Sequence, residues 1–426
     1  MNTINLLSQR TETILDKKMV TEAAPLLAGD NDNFVDEILL HRFCAGLKWC
    51  ALDHSSTTGR AVSYLAFLIL TIAIPTAISV FLPLPSLSAG AAPFNDLSQL
   101  TASFLSSISF FTLSSTFRHR CGLRQLLLLD DILRDSAAVR RGHSRDIDRA
   151  FRYLAAILLP SFSVELAHKT LLFATSSAAP PWKAAAFAAA LASWVYRTGV
   201  FLLVCVLFRV TCELQILRFE EFYKLFAGDG AASVVEEGIE VLMLGEHMRI
   251  RRQLKATSHR YRIFIIGSLV TMTISQLGSL LLLLATKADK NFCNSGDLVV
   301  SSIVQLSGYL MCLFGAARIT HRAQRVISIA SQWHSIMSSC SHTKLDPILD
   351  HDQSNGDHDS HGSIRPSIPT IHSTFESRQA LVAYLQHNGG GITIFGYTLD
   401  RGLLHTLFAF ETTLVLWILS KVVVLS

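Results

Sequence analysis

Seven apolar stretches divide this chain, and its basic residues fall between them in strict alternation. A helix needs about 20 apolar residues to cross the hydrocarbon of a bilayer. The stretches at 61–82, 98–117, 153–176, 184–208, 263–285, 298–317 and 403–424 have that length. Lys and Arg collect before the first stretch (Arg10, Lys17, Lys18, Arg42, Lys48, Arg60), after the second (Arg118 to Arg152), after the fourth (Arg218 to Arg262) and after the sixth (Arg318 to Arg378). The other three connections hold only Lys183, Lys287 and Lys290. Cytoplasmic loops retain Lys and Arg. The pattern therefore predicts seven transmembrane helices, with the N-terminus cytoplasmic and the C-terminus extracytoplasmic. That is the reverse of a G-protein-coupled receptor. Dropping the Ser-rich second stretch would put Arg118 to Arg149 on the lysine-poor side, against the same rule. The expected class is all-α, a polytopic membrane protein.

Composition agrees. Only 16% of the residues are charged, against roughly 25% in soluble domains. The net charge of +4 is explained by basic loops lying on an anionic leaflet. The expected partner is the lipid bilayer, with no nucleic acid. Of eight Cys, only Cys293 falls in an outside loop, so no extracellular disulfide within the chain is expected. Cys205, Cys212 and Cys312 read as small packing residues in or near helices. The first 60 residues are polar, which argues against a cleaved signal peptide.

Four segments are expected: a cytoplasmic lead (1–60), six helices with cytoplasmic extensions (61–340), a disordered loop (341–374) and a split seventh helix (375–426). In the lead, Glu22, Leu26 and Leu27 have the form of an acidic dileucine sorting signal, a receptor-read address; such short patterns also arise by chance. The fourth helix should continue to Phe226, the fifth begin near Val234, and the sixth run to Ser338. Beyond the sixth stretch, Ile319, Val326, Ala330, Trp333 and Met337 form one helical face that needs a partner. That partner is either the same subunit or a neighbouring one. The loop is rich in Ser, Asp and His. Asp350 to Gly356 faintly resembles a calcium loop, but its Gly is one place late and His361 stands where Glu is needed. No metal and no cofactor are expected. A short helix from Arg378 to His387 should end at Asn388-Gly389-Gly390-Gly391, before the last crossing.

No phosphate loop, zinc spacing or nucleophile–base pair is visible, so the chain is not expected to be an enzyme. Charge inside the membrane is the better guide, because it is costly and tends to mark function. The third stretch holds Glu165, His168 and Lys169; the fourth holds Tyr196 and Arg197. Glu165 and Arg197 fall at similar depth, and Glu165 and Lys169 are i, i+4 neighbours. These residues either line a polar cavity for a small ligand or form an ion pair that locks helices. The last stretch carries Thr406, Thr413 and Ser420 at seven-residue steps, with Phe410 and Leu416 beside them. Such a hydroxyl stripe suits a pore lining with an apolar constriction; it also suits close helix packing. Thr412, His405 and Glu411 face elsewhere, and Glu411 needs a buried partner.

Three further stretches carry a resemblance. One runs from Glu246-His247-Met248-Arg249-Ile250-Arg251-Arg252 through Ser258-His259-Arg260-Tyr261-Arg262. Another is Ile319-Thr320-His321-Arg322-Ala323-Gln324-Arg325, ending at Trp333-His334. The third joins Arg378-Gln379-Ala380-Leu381, Gly391-Ile392-Thr393, Phe395 to Arg401, Leu404-His405-Thr406, Glu411 and Leu414 to Trp417. With the span layout, roughly 35–426 resembles the plant gustatory-receptor-like proteins, a domain of unknown function distantly related to insect gustatory and odorant receptors. The resemblance implies that helical bundle, long cytoplasmic helix extensions, and a homotetrameric ligand-gated cation channel with the last helix lining its pore. The insect motif in that helix, Thr-Tyr, five apolar residues, then Gln-Phe, corresponds here to Thr412-Thr413, then the six residues Leu414 to Leu419, then Ser420-Lys421. Tyr is absent and Gln-Phe is replaced, so the gate residues do not carry over. The alternative is a non-conducting membrane receptor or scaffold that signals through its cytoplasmic helices and loop. The absence of an internal repeat argues against a transporter. The plasma membrane and the vacuolar membrane both fit.

Overall fold

The computed structural model describes residues 57–81, 92–117, 135–174, 180–227, 239–285, 292–343 and 369–424. In chain order these form α1 (Thr57–Phe67), a π-helical segment (Leu68–Ala73), α2 (Ile74–Phe81), α3 (Ala92–Phe117), α4 (Ala137–Ala174), α5 (Pro180–Ala227), α6 (Ile239–Ala285), α7 (Phe292–Thr343), α8 (Pro369–His387), β1 (Thr393–Ile394), β2 (Tyr397–Thr398) and α9 (Arg401–Val424). Glu22, Leu26, Leu27, Val234 and residues 344–368 lie outside the described residues.

Among the described residues, five helices are long and apolar enough to cross a membrane: Thr58–Val80, Ala138–Ala174, Trp182–Phe226, Glu240–Leu282 and Gly296–Ser339. The second and seventh stretches of the sequence are also helices, of 26 and 24 residues. They fall outside that set of five. Large apolar side chains stand exposed along Val62, Leu65, Ile69 and Ile72, and along Ile263, Val270, Ile274, Leu277 and Leu281. Soluble monomers rarely expose such stripes. Hydrocarbon covers them, and the chain is an integral membrane protein.

The helices extend further than the sequence pattern implied. Three were expected to outrun the membrane, and α4 is a fourth. It starts at Ala137, well before the apolar stretch at 153, and runs 38 residues. Its early turns bury Val139, His143, Ile147 and Ala150 on one face. A His inside that stripe, among many Arg, hid the periodicity. α7 reaches Thr343, past Ser338, and α8 starts at Pro369 rather than Arg378. Proline at the first helical position loses no hydrogen bond and brings a preset φ.

The chain divides into two compact units. The first holds Gln215–Leu254 and Ile319–Gly391. Its core is aromatic and aliphatic: Phe219, Phe222 and Phe226 pack among Met243, Ile250, Leu254, Val326 and Leu385, all buried. Phe226 meets Trp333 edge to face at 5.7 Å. Ile319, Val326, Ala330 and Trp333 are all buried here, so the expected stripe packs within one subunit.

The second unit holds the described residues up to Leu214, Lys255–Arg318 and Ile392 onwards. Within it, α5 is buried residue after residue from Val200 to Phe208, as a helix apolar all round must be. Gly308 lets α7 approach it: a Cβ there would stand 2.8 Å from Phe201 Cε1. Cys205, Cys212 and Cys312 are free thiols, fully buried at this contact. The strands form a hairpin, with Thr393 opposite Thr398 and Ile394 opposite Tyr397. Phe395 (φ 48°) and Gly396 (φ 92°) are both left-handed, as a two-residue type I′ turn requires. The Arg262 guanidinium lies 5.3 Å from the centre of the Phe395 ring.

Candidate functional site

In the second unit, charge is buried where α4 meets α7. Lys169 Nζ lies 3.4 Å from Glu165 Oε1 and 3.7 Å from Asp297 Oδ1. Glu165, His168, Lys169, Asp297 and Arg197 are all buried. The Glu165–Lys169 pair is the i, i+4 contact expected from spacing. Asp297 was missed, because it precedes the sixth apolar stretch by one residue and read as loop. Removing two carboxylates from water costs several kcal/mol each unless cations and hydrogen bonds meet them. Lys169 answers both. Glu165, His168 and Asp297 place ligand atoms within 4.8 Å of one another. This donor set would suit a cation, and the Lys169 ammonium already supplies one.

Arg197 takes a different role from the one its depth implied. Its Nη1 donates to Gln99 O at 3.1 Å and to Ser103 Oγ at 3.2 Å, and its Nε to Ser193 O at 3.4 Å. It ties α5 to α3 instead of pairing with Glu165. Ser103 Oγ in turn donates to Thr71 O at 3.1 Å. Pro75, just past this turn, has no N–H to give to the carbonyls before it. The π-helical segment sits just before that proline. Its Leu70 carbonyl also accepts from a neighbouring helix, from Ser193 Oγ at 2.6 Å. Hydroxyls from two other helices thus satisfy the carbonyls exposed by the break, which hydrocarbon could not do.

Beside Arg197 a narrow pocket opens among α3, α5 and α7. Ser98, Gln99, Trp194, Arg197, Phe201, Asp297, Ser301 and Gln305 are among its walls, and about 430 Å³ of empty space lies between them, part of it open to solvent. An apolar lining with a few converging polar groups is the usual character of a small-molecule site. Of the five residues expected to bind ligand, only Arg197 lines this pocket. Glu165, His168 and Lys169 lie in the buried ion cluster, and Tyr196 is half-buried. Trp194, Arg197 and Phe201 at three- and four-residue steps were the signal for this wall.

On α9 the two faces differ. Thr406, Phe410, Thr413, Leu416 and Ser420 are all exposed. Thr406 Oγ1 donates to Gly402 O at 2.8 Å, and Thr413 Oγ1 to Ala409 O at 2.6 Å. Leu404 and Glu411 are buried on the other side. Glu411 Oε1 accepts from Thr273 Oγ1 at 2.5 Å, which is the partner this carboxyl needed.

No curated protein matches the chain. Among solved structures, it resembles the insect olfactory receptor OR5 from Machilis hrabei. The likeness has 13% identity and a TM-score of 0.54, and it covers 85% of this chain and 90% of that one. At this identity the likeness is one of fold. A family model described as a protein of unknown function (DUF3537) matches residues 39–410, and the chain belongs to that family.

Proposed function

We propose that this chain is a plant gustatory-receptor-like protein, one subunit of a homotetrameric, ligand-gated cation channel. It crosses the membrane seven times, with its N-terminus in the cytoplasm and its C-terminus outside, in the plasma or the vacuolar membrane. It is not an enzyme. The observation that carries the reading is the exposed face of α9, where Thr406, Thr413 and Ser420 alternate with Phe410 and Leu416 while the opposite face is packed. The fold shared with an insect olfactory receptor supports it. A small molecule enters the pocket beside Arg197, where guanidinium, amide and hydroxyl donors sit between Trp194 and Phe201. Opening follows only if the ligand binds the open state more tightly than the closed one.

Single-channel recording from the purified protein in a planar bilayer tests this, with wild type beside Leu416→Ser. Unitary currents are expected, with open time or conductance raised in the variant, because a hydroxyl relieves an apolar constriction. Silence from both, with an intact oligomer in the same sample, would leave a non-conducting receptor that signals through its cytoplasmic helices.

A further inference from the structure

Away from the ligand pocket and the exposed face of α9, the second unit holds a second, strongly charged pocket. Asp146, Arg149 and Tyr153 of α4, Arg209 and Glu213 of α5, and Arg318 of α7 line it, around about 380 Å³ of space that is partly open to solvent. Arg209 and Arg318 both reach the same Glu213 Oε1, Arg209 through Nε at 2.8 Å. Arg149 Nη1 donates to Asp146 Oδ1 at 3.0 Å. Three guanidiniums thus face two carboxylates, and one carboxylate oxygen serves two cations. A positive charge is left over, with guanidinium donors turned to the opening: the Arg149 and Arg318 side chains are 57% and 46% exposed.

The location narrows the anion. The third apolar stretch begins at Tyr153, the fourth ends at Phe208 and the sixth ends at Ala317. All three helices therefore leave the hydrocarbon at this pocket, which stands at headgroup depth. Basic pockets between membrane helices at that level suit phosphorylated headgroups, and the guanidinium fork matches phosphate oxygens two at a time. Tyr153, amphipathic and half exposed, suits the same interface.

We propose that this pocket binds a phosphate-bearing anion: the phosphomonoester headgroup of a membrane lipid, or a free phosphate of the same chemistry. The site requires neither conduction nor a ligand in the Arg197 pocket.

Calorimetric titration of the full chain in detergent tests it, with short-chain phosphatidylinositol 4-phosphate, short-chain phosphatidylcholine and inorganic phosphate in separate arms. Saturable binding of the inositol lipid is expected, roughly tenfold or more tighter than phosphatidylcholine, since charge-assisted hydrogen bonds are the strong ones. Saturable binding of inorganic phosphate at similar strength would assign the site to a soluble anion; its failure to bind would assign it to lipid. Arg209→Gln, Arg318→Gln and Arg149→Gln should each weaken binding roughly tenfold. If Arg209→Gln fails to fold, the two half-exposed arginines carry the test, with monodispersity checked by gel filtration. Equal affinity for the two lipids, or folded variants that bind like wild type, would overturn the proposal.

Discussion

Helices α5 and α9 are both apolar, yet one is enclosed by its own chain and the other is not. From Val200 to Phe208 every side chain of α5 is buried. Its neighbours come close enough that Gly308 has no room for a methyl group. α9 buries Leu404 and Glu411 and leaves Phe410, Leu416 and a row of hydroxyls exposed. Apolar content therefore does not say where a helix sits. The missing cover on α9 must come from lipid or from another copy. Thr406 and Thr413 donate their hydroxyls to carbonyls of α9 itself, so the row suits either cover.

The contrast breaks most easily at α5. Gly308→Leu forces a branched side chain against the Phe201 ring and Leu202, and overpacking of this kind costs about 3 kcal/mol. We expect thermal unfolding in detergent, followed by gel filtration, to show a large loss of folded protein. Tolerance of leucine would mean that α5 and α7 are not closely packed. A smaller effect belongs to the packed side of α9. Removing the contact between Glu411 and Thr273 with Glu411→Met, Thr273→Val and the double variant should give a coupling of about 1 kcal/mol. Additive losses would place that carboxyl outside the helix packing.

Much of this fold was legible in the sequence because membrane helices declare themselves by length and apolar content. The long extensions of α5, α6 and α7 were readable for a related reason: no Gly or Pro cluster stops them. The start of α4 was not, since a buried stripe of Val139, His143, Ile147 and Ala150 hides among arginines that point the other way. The site was legible only in part. Glu165 and Lys169 are close in sequence, so their pairing follows from helix geometry. Asp297 and Arg197 meet residues about a hundred or more positions away, and a single sequence carries no record of such contacts. The proline at residue 75 could have warned of a broken helix, but not that Ser103 and Ser193 would supply its missing hydrogen bonds.

The smallest change in stability is expected on the open side of α9, and it sharpens the contrast most. Leu416 is 59% exposed, so Leu416→Cys should alter folding by no more than about 0.5 kcal/mol. What covers that face then decides its chemistry. If four copies bring their α9 helices together around a narrow pore, thiols at this position approach one another across it. Mild oxidation should yield a covalent dimer on a non-reducing gel. With Cys44, Cys50, Cys121, Cys293 and Cys340 changed to Ser in both proteins, the control without the added thiol should yield none, because Cys205, Cys212 and Cys312 are sealed beside α5. Thiols that face lipid meet no partner, so a variant that stays monomeric while the oligomer is intact by gel filtration would remove α9 from the subunit interface.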